Sequence, residues 1–339
     1  MKERRLNSKV APRLAITMGY AAGIGPEILV KSLVKPIIRR YCRPLVIGDN
    51  RVLQNISEKC GTSIKWNRVL SSNQVEYRPG QIDLLDIQNT PMDKFEWGKV
   101  IPSLGKASGK YIEVAWELVM NGEVEGIISG TLHKEALHKG GYGFRDELEL
   151  FENITKRSNS FFIGVNEKLW TISIADHVSF KEIANKITKE NVLFHIKAIN
   201  RSMQQYGFKR SKIAVAALNV HGGEDGLFGD EEIKTIRPAI LEARKLGIES
   251  YGPYPADTIF LRAQKGEFNA IVGMYHDQIN IGRKLIGWKK GTSIMMGLPV
   301  PCGTTAHGTA FDIAGKCVAH SSSMEFTIKT VSRLAQCTR

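Results

Sequence analysis

Short apolar runs alternate along the chain with longer amphipathic stretches, the pattern of strands alternating with helices. "RLAITMG" predicts a strand, a Gly-rich turn follows, and "PEILVKSLVKP" predicts a helix opened by proline. "RPLVIGD" predicts a second strand. "SGKYIEVAWELVMNGEV" has helical spacing and leads into a buried strand, "EGIISG". Further strands are predicted at "LWTISIAD", "KIAVAALNV", "FNAIVGMY" and "TSIMMGLPV". "FKEIANKITKENVLFHIKAINRSMQQYG" is amphipathic over a length that fits one or two helices. "DEEIKTIRPAILEARKLG" predicts a helix closed by glycine. The alternation predicts an α/β architecture. No repeat, low-complexity tract or Pro/Ser-rich linker divides the pattern, so two interwoven α/β domains are expected. We place the first over residues 13–128 plus 280–339 and the second over 129–279. The 339 residues suffice for two cores.

Charge changes this picture little. The formal net charge is +13, but Lys and Arg are spread along the chain. There is no recognition-helix motif and no interleaving of basic with aromatic residues, so nucleic acid is not an expected partner. A basic surface of this kind attracts anionic substrates or cofactors. No apolar run is long enough to span a bilayer, and no membrane partner is expected. The basic start, "MKERRLNSKVAPR", has no apolar segment behind it; it reads as a disordered arm over residues 1–12 rather than a secretory signal. The five cysteines, Cys42, Cys60, Cys302, Cys317 and Cys337, are scattered and lack C-x-x-C spacing. That predicts free thiols in a reducing cytoplasm, not a disulfide framework or a zinc–cysteine site.

Candidate chemistry gathers at strand ends, where open α/β sheets bind ligands. "TISIADHVS" ends in His177, "AVAALNVHGGEDG" in His221 and "IVGMYHDQ" in His276. Three neutral imidazoles around one divalent ion leave positions open for substrate oxygens. Asp277 is placed to orient His276 from the second shell. Each histidine also has a purely structural reading, and the long-range spacing does not choose. "TMGYAAGIGPEI" places Gly23, Gly25, Pro26 and Glu27 at a strand–turn–helix junction. It fits neither the dinucleotide fingerprint nor a P-loop; a structural turn and a ligand-contacting turn both remain open. "TAHGTAFDIAGK" carries His307, Gly308, Thr309 and Asp312 in a compact loop. It resembles the HG[ST]A-x-DIAGK loop of isopropylmalate and isocitrate dehydrogenases, which packs against the adenosine part of the nicotinamide cofactor. A tight turn into the last helix is the alternative.

Several stretches in the same order resemble the family of 4-hydroxythreonine-4-phosphate dehydrogenase (PdxA). They are "ITMGYAAGIGPEI", "ISGTLHKEALHKGGYGF", "ALNVHGGEDGLFGDEEI", "GPYPADTIF", "MYHDQ" and "GLPVPCGTTAHGTAFDIAGK". The resemblance implies an isocitrate/isopropylmalate dehydrogenase-like fold. It implies one divalent metal, zinc with magnesium, cobalt or manganese as alternatives, on His177, His221 and His276. These ligands are shared across a homodimer interface in the second domain. It further implies NAD or NADP at His307, Gly308, Thr309 and Asp312, with Asp257 and Asp277 as supporting carboxylates and Lys284 as the substrate-binding lysine. The implied reaction oxidises the secondary alcohol of a small hydroxy acid, followed by decarboxylation, in the cytoplasm.

The departures point to an altered substrate. "GYAAGIGPE" stands where the family reads "GDPAGIGPE", so Tyr20 and Ala21 replace Asp and Pro. Glu147 and Leu148 replace a substrate-binding His and Thr, Ser293 replaces an Asn, and Cys302 an Arg. Lys284 alone is retained, with Lys289 and Lys290 as nearby cations. Losing an arginine fork and gaining a carboxylate disfavours a phosphate dianion. 4-Hydroxythreonine 4-phosphate is therefore expected to be a poor substrate. A non-phosphorylated diol, such as the aromatic cis-dihydrodiol of terephthalate, is the alternative. A phosphate acyltransferase-like protein and a binding protein without catalysis are the non-redox rivals; the three histidines argue against the acyltransferase.

Overall fold

The computed structural model describes residues 10–144, 147–167, 169–287 and 290–337. Residues 1–9 of the predicted arm, and Lys289, lie outside them. The chain forms two compact units, residues 1–161 with 297–339 and residues 162–296.

The first unit is built on six parallel strands: β1 (Arg13–Thr17), β2 (Arg43–Gly48), β3 (Trp66–Val69), β4 (Ile82–Asp86), β5 (Gly126–Ser129) and β12 (Cys302–Thr305). Their order is β3-β4-β2-β1-β5-β12. β1, β2 and β5 are near-continuous apolar runs because a parallel strand is covered on both faces. Proline opens both the helix Gly25–Leu33 and the helix Pro102–Met120, where the missing N–H has no intrahelical partner to lose. A Cβ at Gly105 would lie 1.9 Å from the Ala136 carbonyl oxygen. Only glycine lets the helix Lys134–Lys139 pack so closely on Pro102–Met120, and this contact keeps the residues after β5 in the first unit. The sequence-derived boundary at 128/129 falls inside that unit.

Two of the five cysteines do not remain independent thiols. Cys60 and Cys317 are disulfide-bonded with Cα atoms 5.2 Å apart, across a sequence separation of 257. The fold sets the end of the helix Asn50–Lys59 beside the segment after the 305–316 loop. Linear spacing carries no trace of this, which is why the expectation of five free thiols is corrected.

The second unit contains β6 (Phe161–Val165), β7 (Trp170–Ala175), β8 (Ile213–Ala216), β9 (Ser250–Tyr254), β10 (Ala270–Tyr275) and β11 (Thr292–Met296), in the order β11-β6-β7-β10-β8-β9. β6 runs antiparallel to β7, while β7, β10, β8 and β9 are parallel. The amphipathic stretch is helical twice, over Ile183–Lys186 and Lys189–Tyr206. The second helix is capped by Thr188, which accepts the Asn191 N–H at 3.2 Å, and ends at left-handed Gly207. "DEEIKTIRPAILEARKLG" forms one π turn, Glu232–Ile236, before the α-helix Arg237–Lys245. Pro238 has no N–H to bond back along the helix, so the register changes there. Ile259, Phe260, Ile271 and Ile279 pack together in this unit's core. Among the described residues no helix is long and apolar enough to cross a membrane.

Candidate active site

The C-terminal ends of the second unit's parallel strands bring two of the three strand-end histidines together. β7 and β10 are adjacent and parallel, and Tyr275 pairs with Ala175, so the strands end level. The next residues, Asp176-His177 on one chain segment and His276 on the other, emerge side by side. Their potential ligand atoms all lie within 4.8 Å of one another, and the imidazole centroids of His177 and His276 are 5.8 Å apart. Asp277 Oδ1 lies 2.6 Å from His276 Nδ1. With the Nδ1–H donating a hydrogen bond to Asp277, the lone pair of Nε2 is available to a ligand. Asp176 accepts from Ser173 Oγ at 3.0 Å. Its charge also acts on buried Arg283: burial pulls the guanidinium pKa down and Asp176 partly restores it.

His221 lies outside this group. It follows β8 in a run of left-handed residues, with φ of 52° at His221, 42° at Glu224 and 51° at Asp225. Such positions cost roughly 1–3 kcal/mol each and persist where the surroundings hold them. The holding group is buried Glu232, whose Oε1 accepts the backbone N–H groups of Leu218 and Asn219, both at 2.8 Å. The His221 ring is exposed, with Nδ1 3.3 Å from Glu224 Oε1. Lys284 is exposed on the helix His276–Gly287, Asp257 is exposed in the first turn of Ala256–Gln264, and Ser293 is half-buried on β11. Neither aspartate, Asp257 or Asp277, belongs to the three-residue cluster.

In the first unit β1, β5 and β12 lie side by side and parallel, so the Gly-rich turn, His133 and the 305–316 loop emerge at one edge. A Cβ at Gly23 would sit 2.9 Å from the Thr309 Cβ, and the Ile24 N–H donates to the Thr309 carbonyl at 3.0 Å. The turn therefore supports the loop directly. His133 stacks on Phe311 with centroids 4.8 Å apart and planes 6° apart. Tyr20 tilts against both rings; its buried hydroxyl donates to the Lys99 carbonyl and accepts from the Ile101 N–H, each at 2.7 Å. His307 is half-buried, with Nδ1 3.2 Å from the Gly308 carbonyl. Gly308 faces open space and Asp312 is exposed.

Burial lowers the imidazole pKa of His133, His195 and His307. A lowered value in the folded state means that the unfolded chain takes up protons first on acidification. Their contribution to stability is full above the ordinary histidine pKa, about 6.5, and is lost as pH falls below it towards the folded values. Thermal melts should therefore show Tm falling from neutral pH into the mildly acidic range. His307→Gln should shallow that slope; an unchanged slope would remove His307 from the account.

The substituted substrate positions of this unit form a small group of their own. Glu147 Oε1 accepts from Ser129 Oγ at 2.7 Å. Cys302 is fully buried on β12, and burial, reinforced by the charge of Glu147, raises its thiol pKa. Cys302 is thus a neutral thiol where the resemblance places a cation. Leu148 is half-buried on the helix Glu147–Thr155.

A family model, that of the pyridoxal phosphate biosynthetic protein PdxA, matches residues 40–331. The chain belongs to the PdxA family. It is 38% identical over 324 residues to a Symbiobacterium thermophilum protein assigned provisionally as a D-threonate 4-phosphate dehydrogenase, covering 96% of this chain and 97% of the relative. A Pasteurella multocida relative, assigned provisionally as a 4-hydroxythreonine-4-phosphate dehydrogenase, is 36% identical over 95% of this chain and 97% of its own. The crystal structure of 4-hydroxythreonine-4-phosphate dehydrogenase from Klebsiella pneumoniae superimposes with a TM-score of 0.84 at 33% identity, covering 97% of this chain and 100% of that one. This PdxA-family chain is a dehydrogenase acting on a CH–OH group and shares the α/β fold of 4-hydroxythreonine-4-phosphate dehydrogenase. Sequence reasoning missed Asp176 in the second unit and His133 and Phe311 in the first. Asp176 was visible beside His177 in "ADH"; the His133–Phe311 stack depends on two strand ends meeting and has no local signal.

Proposed function

We propose that this PdxA-family chain is a cytoplasmic homodimer that oxidises the secondary alcohol of a phosphorylated hydroxy acid of the D-threonate 4-phosphate type. It uses NAD or NADP and one divalent metal, and the resulting 3-keto acid loses carbon dioxide. The observation that carries this reading is the convergence of Asp176, His177 and His276 at one strand edge. Two imidazoles and a carboxylate suit a zinc-class ion, with magnesium, cobalt or manganese as alternatives. A bound ion would lower the pKa of the alcohol and stabilise the enolate formed on decarboxylation. Asp277 orients the His276 ring for that task. The substrate class rests on relatives assigned to threonate phosphate; it runs against the non-phosphorylated substrate expected from the departures at Glu147, Leu148, Ser293 and Cys302, and leaves Lys284 as the phosphate-binding group.

We assign the third imidazole, His221, to a second copy of the chain. Apolar side chains stand exposed beside each ligand: Val178 and Phe180 after His177, Val220, Leu227 and Phe228 around His221, and Ile281 and Leu285 beyond His276. Apolar patches of this kind mark interaction surfaces, and here they coincide with the ligand-bearing segments. In the first unit the 305–312 loop is the adenosine side of the cofactor site, with Gly308 leaving room for close approach. Asp312→Ala should raise the KM for NAD(P) by about fivefold, the loss of one hydrogen bond of roughly 1 kcal/mol, and leave the KM for substrate unchanged. Steady-state kinetics with each component varied checks this. The reading as a whole is tested by following NAD(P)H formation with D-threonate 4-phosphate; the absence of turnover with any hydroxy acid or diol in any metal would overturn it.

A further inference from the structure

We infer that Cys60 and Cys317 are a reversible dithiol–disulfide pair that clamps the end of the 305–316 loop to the helix Asn50–Lys59. Their Cα separation of 5.2 Å lies within the range that a disulfide bridges without backbone movement. Both cysteines are half-buried, within reach of a small thiol, whereas Cys42 and Cys302 are enclosed and burial pushes the Cys42 thiol up to about 12.

The segment that carries Cys317 is also held by contacts that do not involve the disulfide. Lys31 Nζ donates to the carbonyls of Cys317 at 2.7 Å and Ala319 at 3.1 Å, and Glu27 Oε1 accepts the Ala319 N–H at 2.6 Å. These contacts fix the segment after the loop against the helix Gly25–Leu33 and hold Cys317 facing Cys60. Buried Glu27 leaves Oε2 without a hydrogen-bond partner, and one of its carboxylate oxygens lies within 4.8 Å of both sulfurs. The oxidant is a small disulfide such as oxidised glutathione. One cysteine thiolate attacks it, forming a mixed disulfide and releasing one glutathione thiolate. The second cysteine thiolate then attacks the mixed disulfide, forming the Cys60–Cys317 bond and releasing the second. The two cysteine protons end on the two glutathiones, and two electrons pass from the protein to them.

Closing the bond pins the far end of the loop that carries His307 and Asp312. The near part is already held by the Ile24–Thr309 hydrogen bond, and Gly315 lies against the Trp97 ring, over which Lys59 Nζ sits at 5.7 Å. The effect on cofactor binding rests on the cofactor assignment proposed above; the clamp itself does not. The full-length chain should be equilibrated in reduced and oxidised glutathione, alkylated and mapped by mass spectrometry, with deuterium uptake followed across 305–319. A Cys60–Cys317 cross-link is expected to appear on oxidation and vanish on reduction, with uptake slowed by about fivefold in the oxidised form. Cys60→Ser and Cys317→Ser should each abolish the difference. Slowed uptake with unaltered NAD(P) affinity upholds the clamp and counts against the cofactor assignment. Alkylation of both cysteines at every glutathione ratio, or equal uptake in both forms, overturns it. So does zinc that the reduced chain retains and Cys60→Ser loses, which would make the trio with Glu27 a metal site.

Discussion

Replacing His276 with alanine is expected to lower kcat/KM by about a thousandfold and to remove the bound divalent ion. Loss of Lewis-acid stabilisation is worth several kcal/mol, and about 4 kcal/mol corresponds to three powers of ten. The His276 side chain is 45% exposed, so its removal leaves no cavity and folding should be retained. His177→Ala should behave alike, because the two rings share one edge. Asp176→Asn separates two roles. If Asp176 contributes charge to the ion, metal affinity should fall by about ten- to hundredfold while thermal stability without metal stays unchanged. If it serves only buried Arg283, stability falls and metal affinity does not. Metal content after gel filtration, measured by elemental mass spectrometry beside the kinetics, decides. Full zinc occupancy and normal activity in His276→Ala would remove the ion from the Asp176–His177–His276 cluster.

The legible part of this molecule is the part whose information is local. β1, β2, β5, β7, β8 and β10 each have strand neighbours on both sides and are predominantly apolar, so their runs stand out. β3 reads "WNRV", β9 contains Pro253 and β12 reads "CGTT". β3 and β9 lie at the ends of the strand order, where polar residues and proline are tolerated, so alternation fades. His177 and His276 could be singled out because a strand-end histidine is a local event. That they meet, and that Asp176 meets them, depends on β7 lying next to β10, a fact of topology. The same holds for Cys60 with Cys317 and for His133 with Phe311. The π turn before Pro238 sits between these cases: the proline was visible, but its consequence for register was not.

The preference for a phosphorylated over a dephosphorylated substrate is expected to depend on Lys284. Among the substituted positions, Cys302 is buried and its thiol is kept protonated by burial and by the charge of Glu147, so it offers phosphate no cation. Glu147 is hydrogen-bonded to Ser129 and adds a negative charge to the first unit's site residues. Lys290 is committed to Glu167 at 2.7 Å. That leaves the Lys284 ammonium as the retained anion-binding group of the family pattern. A hydrogen bond to a charged group contributes roughly 1.5–3 kcal/mol, which is about ten- to hundredfold in binding. Since Lys284 is exposed, water and salt screen it and the lower half of that range applies. Lys284→Ala should therefore cut kcat/KM for D-threonate 4-phosphate by roughly tenfold or somewhat more, mainly through KM. The phosphate lies away from the reacting carbon, so it is held alike in ground and transition states. Turnover of D-threonate itself should change by less than about twofold, because the interaction removed is absent from it. The wild-type preference should also weaken as ionic strength rises. An equal loss on both substrates would place Lys284 in general support of the site rather than at the phosphate. An unchanged preference would show that the phosphate is held elsewhere.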